Sequence, residues 1–150
     1  MNSDPESPRH IALCVLWRGK SFLVGEGYDS VKQERFFRPL GGEVEPGESP
    51  EEAVVREMLE EIGQHVVVTR HLGTFDNRFV YEGKPSWEIV DVFEARFDGE
   101  ETDLDNLTIA EMGWRLAWIT IEALDAPLHP EGIAELIRKR PIDDRLSSPN

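Results

Sequence analysis

The sequence predicts a single α/β domain, and three features carry that expectation. An apolar run, IALCVLW, lies within residues 10–17 and reads as a buried strand. A strongly capped amphipathic helix opens at Ser49. Alternating β-forming stretches follow it, and a second helical pattern closes the chain. At 150 residues there is room for one core and not for two ordinary ones.

Composition narrows the function classes. A net charge of −14 repels nucleic-acid backbones and anionic membrane surfaces, so a nucleic-acid polymer or membrane partner is not expected. A phosphate-bearing small molecule must be met by local cations or a metal. The single cysteine, Cys14, lies in the apolar run and cannot staple the fold, so a buried thiol without catalytic role is expected. The opening MNSDPESPRH has neither a basic start nor an apolar core, and no segment approaches a membrane span. A cytoplasmic protein is the expectation.

Residues 1–8 and 141–150 lack periodicity and read as tails around a domain at 9–140. Residues 10–17 and 21–26 form a hairpin about Arg18-Gly19-Lys20. Residues 34–40, ERFFRPL, read as a strand feeding a turn at Gly41-Gly42, where paired glycines permit positive φ and close backbone approach. Ser49-Pro50-Glu51-Glu52 combines a capping hydroxyl, a proline at the first helical position and a glutamate three residues on. On a helical wheel Val54, Val55, Met58, Leu59 and Ile62 form the expected core face, with Glu57, Glu60 and Glu61 beside it and Gly63 ending the helix. Residues 65–75, 77–81 and 87–97 read as strands, with a turn at Glu82-Gly83-Lys84-Pro85. Asp91 interrupts the row Ile89, Phe93, Ala95 and Phe97, as a buried partner or a ligand. Residues 114–119 read as a strand, 121–124 as one helical turn and 130–140 as the terminal helix.

Residues 41–63 hold eight glutamates against one basic residue, Arg56. Glutamates at helical offsets of one, three and four present oxygens to a hard divalent cation such as Mg²⁺ or Mn²⁺. Charge alone is weak evidence, since surface helices tolerate such clusters. Order is stronger evidence. From Gly42 the chain reads Gly42, five residues, Glu48, seven residues, then Arg56-Glu57-Met58-Leu59-Glu60-Glu61-Ile62-Gly63. This resembles the box of the Nudix hydrolase family, G-x5-E-x7-R-E-U-x-E-E-x-G-U, with every fixed polar and glycine position present. The departure is Gln64, which stands where an aliphatic residue is expected; Val66 or Val67 is the candidate to supply that contact.

The resemblance implies an α/β/α sandwich around a mixed sheet and attack by water on a diphosphate linkage. It makes Glu57, Glu60 and Glu61 metal ligands, with the Gly41 carbonyl a further candidate and Glu57 or Glu61 the leading catalytic carboxylate. It pairs Glu48 with Arg56 as a loop-to-helix link, against the alternative of an ordinary surface ion pair. Glu111, in the loop before residues 114–119, is a candidate base or extra ligand; an exposed loop acid is the alternative. Arg38 is a candidate phosphate contact, and Phe37, Phe75, Tyr81 and Trp87 are candidate base-stacking residues, although strand aromatics are usually core. Tyr81 resembles a tyrosine of dinucleoside polyphosphate hydrolases. The expected substrate is a nucleoside di- or triphosphate or related nucleotide, with dinucleoside polyphosphates behind it. A Nudix-fold module that binds nucleotide without cleaving it is the alternative of another class. A homodimer is consistent with the family.

Overall fold

The computed structural model describes residues 4–101, the backbone of 108–109, and 113–141. Strand β1 (Arg9–Arg18) is followed by β2 (Ser21–Asp29), β3 (Glu34–Glu43), helix α1 (Pro50–Ile62), β4 (Val66–Tyr81), β5 (Lys84–Phe97), the short β6 (Thr108–Ile109), β7 (Trp114–Ile119) and α2 (Ile133–Lys139). The seven strands form one mixed sheet in the order β4-β5-β1-β3-β2-β7-β6, with β1 also meeting β2. Among the described strand pairs β1 and β5 run parallel and the others antiparallel.

The continuous apolar run of β1 is explained by burial on both faces. Ala12, Cys14 and Leu16 pack with Ala53, Val54, Met58 and Ile62 of α1. Ile11, Leu13, Val15 and Trp17 pack with Ile133 and Ile137 of α2. Successive side chains point to opposite faces, so one strand serves two cores and the layers are α/β/α.

Several expected elements differ from those observed. The Gly41-Gly42 pair is no turn: both residues stay in β3, with Gly41 opposite Leu13 and Gly42 opposite Ala12. Gly41 has φ of 154°, and a Cβ there would run into the Ala12 carbonyl. The glycines let β1 and β3 approach. Residues 65–75 and 77–81 belong to one strand, β4, carried through two register irregularities, at Val68/Arg70 and His71/Gly73. Its hairpin to β5 turns at Glu82-Gly83, both with positive φ. Residues 121–124 make a turn with Ala123 N donating to Thr120 O, not a helix. Helix α2 is shorter than expected because Gly132, at φ 97°, precedes it in a left-handed conformation. Residues 4–8 contain no strand or helix, and positions 1–3 and 142–150 of the expected tails lie outside the described residues. Among the described residues no helix is long and apolar enough to cross a membrane.

Helix α1 starts as its sequence dictates. Ser49 Oγ accepts from Glu52 N at 3.1 Å, and Glu52 Oε1 accepts from Ser49 N at 2.9 Å. Gly63 closes it in the left-handed region, with its N–H on Leu59 O. The buried face is rotated from the expected one: Ala53, Val54, Met58 and Ile62 are covered, whereas Val55 is 37% and Leu59 45% exposed. The rotation carries Glu57 and Glu61 toward the sheet. Met58→Ala should therefore cost about 2–5 kcal/mol, and Leu59→Ala within about 0.5 kcal/mol of nothing, read as shifts in the denaturant midpoint at constant slope.

Candidate active site

The site is assembled where the loop after β3 meets the second and third turns of α1. Arg56 organises it. Nε donates to Glu48 Oε2 at 2.7 Å and Nη2 to Glu48 Oε1 at 3.0 Å, a two-point pairing. Nη2 also donates to the Glu43 carbonyl at 3.0 Å, and Nη1 to Glu57 Oε1 at 3.0 Å and Glu60 Oε2 at 3.2 Å. Every N–H donor of the guanidinium is thereby used. Glu48 turns back to accept from Glu45 N at 3.0 Å, closing the loop. With side-chain exposures of 22% and 15%, Arg56 and Glu48 form a part-buried clamp rather than the exposed ion pair weighed above. The hydrogen bond from Arg56 is the main influence holding Glu48 below the usual carboxylate range, and the same bond pushes Arg56 up.

Glu57 rests against Gly42, where an added Cβ would collide with its carboxylate. Glu57 is 14% exposed and Glu60 57%. Glu61 is half-buried on the same arc, and its charge, after burial, contributes to pushing the Cys14 thiol up. Cys14 is free and buried, as expected. Carboxylates at Glu57, Glu60 and Glu61 lie on consecutive turns of α1 and supply oxygen donors of the kind a hard divalent cation takes. Among the described residues no three such side chains are already grouped around one metal position; Arg56 Nη1 bridges Glu57 and Glu60 instead.

A family model, the NUDIX domain, matches residues 7–139. The chain belongs to the Nudix family. One relative, the putative mutator protein MutT4 of Mycobacterium tuberculosis, is 36% identical over 73 residues, covering 49% of this chain and 29% of its own. Another, a putative 8-oxo-dGTP diphosphatase of Bacillus subtilis, is 40% identical over 63 residues, covering 41% of this chain and 42% of its own. The matches thus span less than half of each curated relative. The solution structure of the E. coli ORF135 protein superposes with a TM-score of 0.61 at 24% identity, covering 94% of this chain and 93% of that one. A MutT Nudix hydrolase from Burkholderia pseudomallei gives 0.61 at 24% identity, covering 90% and 100%. These likenesses show the Nudix fold, the α/β sandwich with a mixed sheet.

The other expected site residues fall in distinct places. At the end of the Nudix box, Gln64 is 3% exposed and its amide donates to Glu100 O at 3.3 Å and His65 O at 3.4 Å, while Val66 supplies the apolar contact to the α1 core. Tyr81 lies at the β4–β5 tip: its hydroxyl donates to Tyr28 O at 3.3 Å and its ring meets Phe36 edge-on. Phe37 is core, Phe75 packs against that core, and Trp87 donates to Asp76 beneath Arg78. Glu111 lies outside the described residues. Asp91 is a part-buried hydrogen-bonding partner: its oxygens meet His10 Nε2 at 2.6 Å, His71 Nε2 at 2.8 Å and Thr74 Oγ1 at 2.6 Å. Burial is the largest influence and pushes Asp91 up, but these hydrogen bonds together hold it below its usual range.

Two acids escaped the sequence reading. Glu88 and Glu94, each 2% exposed, lie on the β5 face shared with Val90 and Val92. Their alternation with apolar residues was the available signal. Glu94 accepts from Trp17 Nε1 at 2.7 Å and Arg70 Nη1 at 3.3 Å, with Arg140 Nε at 3.3 Å. Glu88 is shared by Arg9 and Arg38.

The clamp sets an acid dependence with a definite sign. Because Glu48 titrates lower when folded than when unfolded, its stabilising contribution is fully present above the unfolded glutamate value of about 4.3 and is lost as pH falls through the folded value. Denaturation midpoints should drop on acidification below about pH 4.3, and Glu48→Gln should shrink that drop relative to wild type. An unchanged acid slope in the variant would remove Glu48 as its source.

Proposed function

We propose that the protein is a metal-dependent Nudix pyrophosphohydrolase that cleaves the diphosphate linkage of a nucleoside di- or triphosphate or related nucleotide. The observation that carries this reading is the seat of Glu57: its carboxylate lies in the space left by Gly42, at the point where Arg56 locks the loop to the helix. A carboxylate held so firmly beside a strand end is preorganised for phosphoryl chemistry, where positioning and charge stabilisation supply most of the rate.

Glu57, Glu60, Glu61 and the Gly41 carbonyl would hold Mg²⁺ or Mn²⁺. When bound, such an ion neutralises diphosphate oxygens and acidifies a coordinated water. The chain's own tasks are separate. Glu57 or Glu61 takes the proton from the attacking water as its oxygen bonds to phosphorus and the bridging P–O bond breaks. Arg56, with its donors committed to Glu48, Glu43, Glu57 and Glu60, orients the carboxylates and the loop and has none to spare for substrate. The name of the Bacillus subtilis relative supports a purine nucleoside triphosphate as a first substrate to try. The alternative of a non-cleaving nucleotide-binding module is weakened by retention of all box carboxylates.

A panel of nucleotides with Mg²⁺ or Mn²⁺ tests the reading. Glu57→Gln and Glu61→Gln should each lower turnover by at least about 100-fold, while Glu51→Gln, at an exposed first-turn position, leaves it unchanged; a chelator should abolish activity and added Mg²⁺ restore it. Nucleotide binding by the wild type with no product released would leave only the binding module.

A further inference from the structure

The outer edge of β3 is left open at Arg35 by a proline in the segment that lies beside it. Phe37 N donates to Pro127 O at 2.8 Å and His129 N to Phe37 O at 2.7 Å, so residues 127–129 run along β3 as a parallel strand would. Among the described residues that contact is an isolated bridge, Phe37 to Leu128. The next rung would need the N–H of residue 127 to reach Arg35 O, and Pro127 has none. Arg35 and Phe37 stand opposite Tyr28 and Glu26 of β2 in one antiparallel register. Bonding direction in such a ladder repeats every second residue, so Arg35 turns its N–H and C=O away from β2, as Phe37 does.

A cavity of about 450 Å³ lies at this break, among Tyr28, Glu34, Arg35, Asp125, Ala126 and Pro127. All of these positions lie outside the Nudix box. Arg35 and Tyr28 alternate with Phe37 and Val24, both members of the α2 core, so they project to the α2 side of the sheet. Tyr28, 50% exposed, forms an apolar wall with Ala126 and Pro127. The ionic side of the groove is acidic. Arg35 is spent on Glu26. Asp125, with its side chain 74% exposed, stands 3.8 Å from Arg35 Nη1, too far for a hydrogen bond, and Glu34 is exposed beside it.

An outward main-chain donor and acceptor, an apolar wall and carboxylates at the rim together suit an added strand. We infer that this groove binds an extended peptide segment of a partner protein, with a lysine or arginine set among apolar residues. The peptide backbone pairs with Arg35 N–H and C=O, an apolar side chain rests on Tyr28, Ala126 and Pro127, and the cation meets Asp125 and Glu34. The charge of the peptide follows from the groove: with Glu26 and Arg35 offsetting each other, Asp125 and Glu34 remain, in a chain of net charge −14. An acidic peptide is repelled there. The groove is independent of the hydrolase reading and adds to it a docking function.

The probe is the capped pentapeptide acetyl-Val-Lys-Val-Lys-Val-amide, titrated into the isotope-labelled full chain and followed by amide spectra and calorimetry. The Arg35 amide should shift and the Gly42 amide should stay. Replacing both lysines of the peptide by glutamate should weaken binding at least about 10-fold. Of two peptides methylated at alternate backbone nitrogens, the one whose pairing edge is blocked should lose about 10-fold and the other should bind as the parent does. The variant Glu34→Gln/Asp125→Asn, at exposed positions, should weaken binding about 2- to 10-fold with a native melting profile and unchanged nucleotide turnover. Pro127→Ala restores a donor for Arg35 O and should also weaken the peptide. No binding, equal binding of the glutamate peptide, both methylated peptides binding as the parent, or an affinity unmoved in Glu34→Gln/Asp125→Asn overturns the inference. A dimer found by light scattering that falls to monomer in that variant overturns it in favour of a second copy of this chain.

Discussion

The Arg56 guanidinium is the constraint on which the site depends. Its fork joins Glu48 in the loop, the Glu43 carbonyl at the end of β3, and Glu57 and Glu60 on α1. Loop, strand and helix are therefore positioned by one planar group whose donor directions are not adjustable. A lysine keeps the charge and loses that geometry. The clamp also explains how so many carboxylates coexist over so short a stretch, because a single cation is shared among several of them in a part-buried place where attraction is less screened than at the surface.

The clamp works only because two backbones come close beneath it. Gly41 allows β3 to pass the Ala12 carbonyl of β1, and Gly42 leaves the volume that the Glu57 carboxylate fills. Below them β1 is buried on both faces, so the platform is held by two cores at once. Small side chains here serve neither flexibility nor a turn; they make room.

Buried acids extend the same logic across the sheet. In a chain of net charge −14, Glu88 and Glu94 are withdrawn from water and each is met by two arginines. A buried carboxylate of this kind adds little net stability but is expensive to leave unpaired, so it specifies which strands and termini must come together. Glu88 ties β1 and β3 to β5, and Glu94 ties β4 and the end of α2 to the same strand.

By itself the sequence determined the start and end of α1, the strand character of β1 to β5, and the ordered set of glutamates, glycines and arginine that marks the family. Those signals are local: Ser49, Pro50 and Glu52 cap a helix through bonds three residues apart, and period-two or helical spacing is set by the backbone. It did not determine the rotation of α1, the passage of β3 through Gly41-Gly42, the union of β4 or the partners of Asp91. Nor did it place Tyr81 against Phe36 or bury Glu88 and Glu94. Each of these depends on a neighbour distant in sequence: β1 under the glycines, β5 beside β4, His10 and His71 around Asp91. An apolar wheel predicts which residues prefer burial, but only the packed sheet decides that carboxylates at Glu57 and Glu61 take the inner arc while Val55 and Leu59 face water.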